Sequence, residues 1–280
     1  MVLDKIQRPN DVKELKEQEL PILADEIRQF IIDKVSDNGG HLASNLGVVE
    51  LTIALHQDKL IWDVGHQSYT HKILTGRKNG FDSLRKYHGM SGFPKRDESN
   101  CDAFDTGHSS TSLSAGLGMV CARELKKEKY KVVSVIGDGS LTGGLAFEAL
   151  NNAASLKSNY IMILNDNHMS ISENVGGLSH YLAGVRTAKG YTNFKKNVKA
   201  SLSKMNAIGE ELERNIRRAK SMLKQVFIPG MFFEDMGITY LGPIDGHNIE
   251  ALTEVIEDAK QVEGAVLIHV ITEKGKGYEP

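Results

Sequence analysis

The spacing of hydrophobic residues along the chain predicts helices that alternate with short apolar strands. Apolar side chains recur every three or four positions between residues 11 and 35, as on one face of an amphipathic helix, and Asn38-Gly39-Gly40 supplies a stop signal. Continuous apolar runs bounded by glycine or polar residues predict strands that are buried on both faces. The predicted strands cover 60–65, 131–137, 160–166 and 265–272, and further helices are predicted at 48–56, up to about 125, at 143–156 and at 248–261.

This alternation predicts right-handed βαβ units, and therefore an α/β fold with a mostly parallel sheet flanked by helices. In such sheets ligands bind beyond the carboxyl ends of the strands. We therefore expect functional side chains in the residues that follow each strand. These are Asp63-Val64-Gly65-His66, Gly137-Asp138-Gly139, Asn165-Asp166-Asn167 and Lys274-Gly275-Lys276-Gly277-Tyr278.

The stretch at about 173–228 departs from this pattern. Its first part has no clear periodicity and predicts a long, mobile loop. Its second part carries an apolar stripe at helical spacing opposite a basic face, which predicts a helix packed on the domain. A helix that binds a membrane or another protein is the alternative.

Composition and charge narrow the class of protein. The 280 residues are 40% hydrophobic and carry a net charge of −2, so no global field attracts nucleic acid or an anionic membrane. No apolar run is long enough to span a bilayer, and the first residues do not resemble a signal peptide. Cys101 and Cys121 form neither a C-x-x-C pair nor a zinc set. We expect a cytoplasmic protein with no nucleic-acid or membrane partner.

A glycine-rich turn after the second strand points to a metal–diphosphate site. Glycines beside Asp138 let backbone N–H groups approach a diphosphate, and the following helix presents its positive end. A carboxylate repels a diphosphate unless a cation lies between them, and Mg²⁺ suits that position. Asn167, 29 positions later at the next strand end, offers an amide oxygen, and Met169 offers its carbonyl. The alternative is that Asp138 only caps its helix and Asn167 only ends a turn.

The same turn is a near-miss of the dinucleotide-binding motif. That motif requires glycine where this chain has Thr142, and it gives no role to Asp138. No acidic residue follows about 20 positions on at a strand end, where the motif expects one. An NAD-dependent dehydrogenase is therefore a distant alternative.

Seven longer segments carry a family resemblance: HLASNLGVVELT, IWDVGHQSYTHKILTGR, GHSSTSLSAGLG, GDGSLTGGLAFEALN, NDNHMSIS, PGMFFEDMGITYLGPIDGH and EKGKGY. Together they resemble the 1-deoxy-D-xylulose-5-phosphate synthases, which belong to the transketolase-like thiamine diphosphate enzymes. The resemblance implies a transketolase-like, thiamine diphosphate-binding fold, with thiamine diphosphate and Mg²⁺ as cofactors. It also implies a transferase that condenses pyruvate with glyceraldehyde 3-phosphate to 1-deoxy-D-xylulose 5-phosphate and CO₂, on the route to isoprenoid precursors, thiamine and pyridoxal.

The resemblance implies a role for individual residues. Asp138, Asn167 and the Met169 carbonyl match metal ligands, and His41 matches a histidine that handles protons near the reacting carbons. The residues that match cofactor contacts are His66, Gly107, His108, Ser109, Gly139, Ser140, Asn167, Lys274 and Tyr278. We expect structural or surface roles for three other histidines, His71, His88 and His247.

The chain also departs from the family pattern. Residues 1–280 match the diphosphate-binding domain, and the pyrimidine-binding and carboxyl-terminal domains of the family are absent from them. We expect a truncated chain or one subunit of a split enzyme, with little or no turnover alone, acting as a homodimer or with a partner chain that carries the pyrimidine-binding half. A non-catalytic cofactor-binding protein is the alternative. The connection at 57–59 is short for the family, and His168 stands where many members have an acidic residue.

Overall fold

The chain folds around one parallel sheet. The computed structural model describes residues 1–55, 59–167, 231–279 and four positions in between, 177, 181, 182 and 184. The strands are β1 (Lys59–Trp62), β2 (Val132–Gly137), β3 (Tyr160–Asp166), β4 (Thr239–Asp245) and β5 (Ala265–Ile271). They pair in the order β1-β2-β3-β5-β4, and every pairing is parallel. The predicted parallel α/β architecture is confirmed.

Helices cover both faces of this sheet. They are α1 (Leu20–Asn38), α2 (Leu42–Leu46), α3 (Val49–Ala54), α4 (Tyr69–Lys72), α5 (Ser112–Lys126), α6 (Gly144–Ala153), α7 (Met231–Asp235) and α8 (Ile249–Lys260). Val132 and Met162 face the layer formed by α5 and α6. Val133 and Ile161 face the opposite layer, formed by α3 and α8. Helix α1 packs outside α3 in a further apolar cluster.

The first helix begins later than its apolar period predicts. The structure has two short 3₁₀ turns, Asp11–Glu14 and Glu17–Glu19, and α1 starts only at Leu20. Pro21 explains the difference, because proline lacks a backbone N–H and is tolerated in the first helical turn but not in a helix interior. The helix ends at Asn38, and the N–H of Gly39 bonds to the carbonyl of Val35 over 2.8 Å.

The predicted helix at 48–56 is also divided differently. Two short helices, α2 and α3, meet at Gly47 and Val48. The helix after this junction ends at Ala54. Of the short connection at 57–59, only Lys59 is described, where it begins β1.

Strand β4 was not predicted from the hydrophobic pattern of the sequence. Pro243 lies inside it, and the pairing with β5 is irregular between Leu241 and Ile244. Proline cannot donate a ladder hydrogen bond, so it is confined to edge strands and irregular positions. β4 is an edge strand of this sheet, so it can contain Pro243. The same proline interrupts the hydrophobic pattern from which a strand would be predicted.

Most of the predicted loop and helix at about 173–228 lies outside the described residues. Of this stretch, Gly177, Tyr181, Leu182 and Gly184 are described and are helical, and Leu182 packs into the core. Within the part of the chain that the structure describes, no helix combines the length and apolar character that crossing a membrane requires.

Candidate functional site

The predicted metal ligands lie at neighbouring strand ends. In the pairing of β2 with β3, Gly137 stands opposite Asn165. The N–H of Asp138 donates to the carbonyl of Asn165 over 3.2 Å. Asp138 is buried and Asn167 is half-buried. The structure thus brings Asp138 and Asn167 to one edge of the sheet, while Met169 lies outside the described residues.

Glycines, Gly139 and Gly143, precede the turn and the helix that follow β2. A 3₁₀ turn at Ser140–Thr142 follows Gly139, and neither this turn nor helix α6 has a side-chain cap. Asp138 thus occupies the N-cap position of neither element. Open space surrounds the position of a Cβ at Gly137, so the backbone there is accessible to a ligand.

Three predicted histidines converge beside these strand ends. His41 precedes α2, His66 follows β1, and His108 precedes α5. Their ring centroids are 5.3 Å apart for His41 and His66, 5.9 Å for His66 and His108, and 6.4 Å for His41 and His108. Phe93, for which no role was predicted, has its ring centroid 5.9 Å from that of His41 and 6.0 Å from that of His108. We call these four rings the histidine cluster.

Burial and nearby charge keep two of these rings neutral. Burial lowers the pKa of His66 to about 4, and His41, His108 and Lys274 act in the same direction. Burial also lowers the pKa of His41, with help from the charges of Arg85 and His108. In both rings Nδ1 is buried and has no hydrogen-bond partner within the described part of the chain. At neutral pH, His41 and His66 are therefore neutral, and each has one ring nitrogen whose hydrogen bonding is not satisfied by the described residues.

The segment that carries His108 is anchored to the end of β1. The N–H of Ser112 donates to the carboxylate of Asp63 over 3.0 Å. Open space surrounds the Cβ position of Gly107, and the N–H of Ser109 bonds back to the Gly107 carbonyl over 2.8 Å. Gly107, His108 and Ser109 thus form a tight turn beside open space.

The K-G-K-G-Y segment contributes Lys274 to this edge. The positive charge of Lys274 contributes to the lowered pKa of His66. The N–H of Gly275 bonds to the carbonyl of Ala43 over 2.9 Å, which fixes the segment against α2. Tyr278, in contrast, is 46% exposed, so the structure does not bring its side chain into the cluster.

His247, expected to be structural or on the surface, has a structural role behind this segment. Its Nε2 accepts the N–H of Glu273 over 2.9 Å, so its Nδ1 carries the proton and lies 3.1 Å from Glu50. Glu50 in turn pairs with Arg28. This chain of contacts ties the K-G-K-G-Y segment to helices α1 and α3.

A buried charge network holds the segment that carries Phe93. Both terminal nitrogens of Arg77 donate to Asp102, over 2.7 and 2.8 Å, and Nε2 of His71 lies 3.0 Å from the same carboxylate. Burial alone would raise the pKa of Asp102, but His71 and Arg77 hold it well below its ordinary value. Fully buried Lys72 pairs with Glu98 in the same network. Among these residues, a structural or surface role was expected only for His71. None of the contacts in the network was predicted from the sequence.

A second buried chain of polar groups reaches the strand end before Asn167. Tyr240 Oη lies 2.7 Å from Nδ1 of His269, and Nε2 of His269 lies 3.0 Å from Asp166. An ionised carboxylate can only accept, so Nε2 donates to Asp166 and Nδ1 accepts from the tyrosine. Burial raises the pKa of Tyr240, which keeps this hydroxyl a donor and fixes the direction of the chain.

Solved structures show which class of fold surrounds this site. Transketolase from Campylobacter jejuni subsp. jejuni matches with a TM-score of 0.65 and 21% identity, over 94% of this chain and 39% of that one. Transketolase from Leishmania mexicana matches with a TM-score of 0.61 and 17% identity, over 92% and 37% of the two chains. At these identities the likeness establishes the fold alone. The chain has a transketolase-like fold, as expected.

Sequence comparison shows the family. A sequence model described as 1-deoxy-D-xylulose-5-phosphate synthase matches residues 3–272. The enzyme of that name from Lachnoclostridium phytofermentans is 60% identical over 285 residues, which cover 100% of this chain and 46% of that protein. The one from Clostridium beijerinckii is 58% identical over 283 residues, or 99% and 46%. This chain belongs to the 1-deoxy-D-xylulose-5-phosphate synthase family, and it spans about half the length of the curated relatives it matches. The dehydrogenase alternative is set aside.

Proposed function

We propose that this chain binds thiamine diphosphate together with Mg²⁺, as the diphosphate-binding part of a 1-deoxy-D-xylulose-5-phosphate synthase. The whole enzyme would join pyruvate to glyceraldehyde 3-phosphate with release of CO₂. The observation that carries the proposal is the position of His66, Asp138, Asn167 and Lys274. Each follows one of four adjacent strands, β1, β2, β3 and β5, at the edge where parallel sheets bind ligands.

The oxygen donors at this edge fit Mg²⁺. Asp138 offers one carboxylate and Asn167 one amide oxygen, and we propose the Met169 carbonyl as a further ligand. Mg²⁺ takes one or two carboxylates together with phosphate oxygens and water. Within the described ranges, no three His, Cys, Asp or Glu side chains form a metal-holding group. A donor set of this kind suits Mg²⁺ bridged to a diphosphate better than a closed zinc site.

We propose that the remaining site residues either bind the cofactor or transfer protons. We propose that backbone groups of Gly139 and Ser140 approach the diphosphate, and that His66, Lys274 and the tight turn at 107–109 line the cofactor, with Tyr278 at its margin. When bound, thiamine diphosphate supplies an electron sink for the reacting carbons. His41, neutral at neutral pH with a buried Nδ1, accepts and returns a proton beside them.

The assembly belongs to the same proposal. We propose that residues 1–280 form the diphosphate-binding domain, and that the pyrimidine-binding half of the site lies outside these residues. We propose that this chain acts in a homodimer or with a chain that carries that half. Little or no turnover is expected from residues 1–280 alone, and product formed from pyruvate and glyceraldehyde 3-phosphate by the purified chain would contradict this point.

Calorimetric titration with thiamine diphosphate tests the cofactor site. Binding is expected with Mg²⁺ and not in the presence of a chelator, and Asp138→Ala should abolish it. Asp82→Ala is the matched control, because Asp82 is an exposed carboxylate paired with Lys34; this variant should bind as the wild type does. Binding that needs no metal, or that survives Asp138→Ala unchanged, would contradict the proposal.

If the chain alone does not bind, the titration is repeated after adding the remaining part of the Lachnoclostridium phytofermentans relative as a separate chain. Metal-dependent binding and product formation only in the mixture would support the proposal that the pyrimidine-binding half lies outside residues 1–280. Failure of the mixture in both assays would count against the cofactor site itself.

A further inference from the structure

We propose that Asn45 is a positioning residue that fixes His41 and His66 relative to each other. Its side-chain nitrogen donates to the carbonyl of His41 over 2.6 Å and to the carbonyl of His66 over 2.8 Å. Its side-chain oxygen accepts the N–H of Tyr69 over 2.8 Å. Asn45 has 0% exposure. One carboxamide therefore joins the segment before α2 to the segment between β1 and α4.

Only asparagine satisfies all three partners at this position. The two carbonyls need two donors and the Tyr69 N–H needs an acceptor, which a carboxamide supplies from one planar group. Aspartate has the same shape but no donor, so it would face two carbonyl oxygens with a negative charge. Alanine would leave all three backbone groups without their partner, and an unpaired buried polar group is unfavourable.

The link matters because the two histidines lie on separate segments. His41 and His66 are 25 positions apart along the chain, and their ring centroids are 5.3 Å apart. The N–H of His41 also donates to the hydroxyl of Tyr69, over a longer 3.4 Å. Asn45 therefore makes the shorter contacts that hold both histidine backbones. A displacement of about 1 Å in such groups is enough to weaken binding or catalysis strongly.

This inference rests on the proposed function only in one respect, that the two rings face the cofactor. The geometric part is independent, because the pKa of His66 depends on burial and on the neighbouring rings. If Asn45 holds those rings together, its loss must change how His66 titrates. A residue that only contributes stability would leave that titration in place.

The test compares Asn45→Ala with Asn159→Ala. Asn159 donates to two backbone carbonyls in the same way, over 2.8 Å to Ala259 and 2.9 Å to Val262, but it precedes β3 at the opposite edge of the sheet. Histidine titration by NMR and calorimetric binding of thiamine diphosphate with Mg²⁺ are measured for both variants, either on the chain alone or with the partner chain supplied.

Asn45→Ala adds no charge beside the rings, so any change in titration reports their position; it should raise the pKa of His66 from about 4 toward its ordinary value of 6.5. It should also weaken metal-dependent cofactor binding by about tenfold to a hundredfold, the loss typical of residues that orient ligand-binding groups. Asn159→Ala should change only stability. An unchanged titration of both His41 and His66 in folded Asn45→Ala would overturn the inference.

Two further measurements cover the remaining outcomes. If Asn45→Ala does not fold, hydrogen exchange in the wild type decides, because both side-chain N–H protons of Asn45 should be protected from exchange. Rapid exchange of those protons would also overturn the inference. If the wild type binds no thiamine diphosphate in any condition, the proposed function fails, while the His66 titration still decides the role of Asn45.

Discussion

Because His66 is buried in the histidine cluster, we expect the folded chain to become less stable at acidic pH. In the unfolded chain His66 binds a proton below about pH 6.5, its ordinary pKa, whereas burial keeps it neutral in the folded chain down to about pH 4. Between these values the unfolded state binds more protons, so the free energy of unfolding falls as the pH falls. With these two pKa values, the loss between pH 7.5 and pH 4.5 is about 2.5 kcal/mol from this one residue.

The variant His66→Gln isolates that contribution. Glutamine is polar and of similar size but does not titrate, so the variant should lose about 2.5 kcal/mol less than the wild type over the same pH range. Urea unfolding followed by circular dichroism at several pH values measures both proteins, and groups other than His66 cancel in the comparison. Equal losses in the two proteins, or an NMR titration of His66 near pH 6.5, would refute the reasoning.

Three further predictions concern the groups around the site. Asp102→Asn should lower the free energy of unfolding by about 1 to 3 kcal/mol in urea titrations, because half-buried Arg77 loses its nearest carboxylate and keeps only Glu98 at 3.8 Å; a change within error would contradict this. Tyr240→Phe leaves Nδ1 of His269 buried without its donor and should lower the unfolding free energy by about 1 to 3 kcal/mol, which thermal or urea unfolding would show. Lys274→Met removes a positive charge and should raise the pKa of His66 in an NMR titration; an unchanged or lower pKa would contradict this.

Sequence patterns predicted the part of the site that depends on strand ends. Continuous apolar runs predicted β2 and β3. Because these strands pair in parallel, Asp138 and Asn167 lie at the same edge of the sheet, and no other contact was needed to predict this. The same rule placed His66 after β1 and Lys274 after β5. The family assignment likewise rested on whole segments, and it is confirmed.

Contacts between distant segments were not predictable in this way. Asn45 meets the carbonyl of a residue 21 positions away, and the partners of Asp102 stand 25 and 31 positions before it. No periodicity relates such residues, because their proximity depends on how loops return to the sheet. The errors in the elements had a local cause instead: Pro21 delays α1, and Pro243 breaks the pattern of β4.

The distribution of satisfied and unsatisfied polar groups suggests how this edge of the sheet works. Among the described residues, six of the ten buried side-chain atoms without a hydrogen-bond partner belong to residues 62–70. Each such atom is unfavourable by about 1 to 3 kcal/mol unless a ligand or water supplies the partner. The adjoining segments, in contrast, are held by fully bonded groups such as Asn45 and Asp102. Unpaired polar atoms at 62–70 therefore lie next to segments that are held by hydrogen bonds. This is the arrangement expected where binding of a polar ligand, rather than folding, completes the hydrogen bonding.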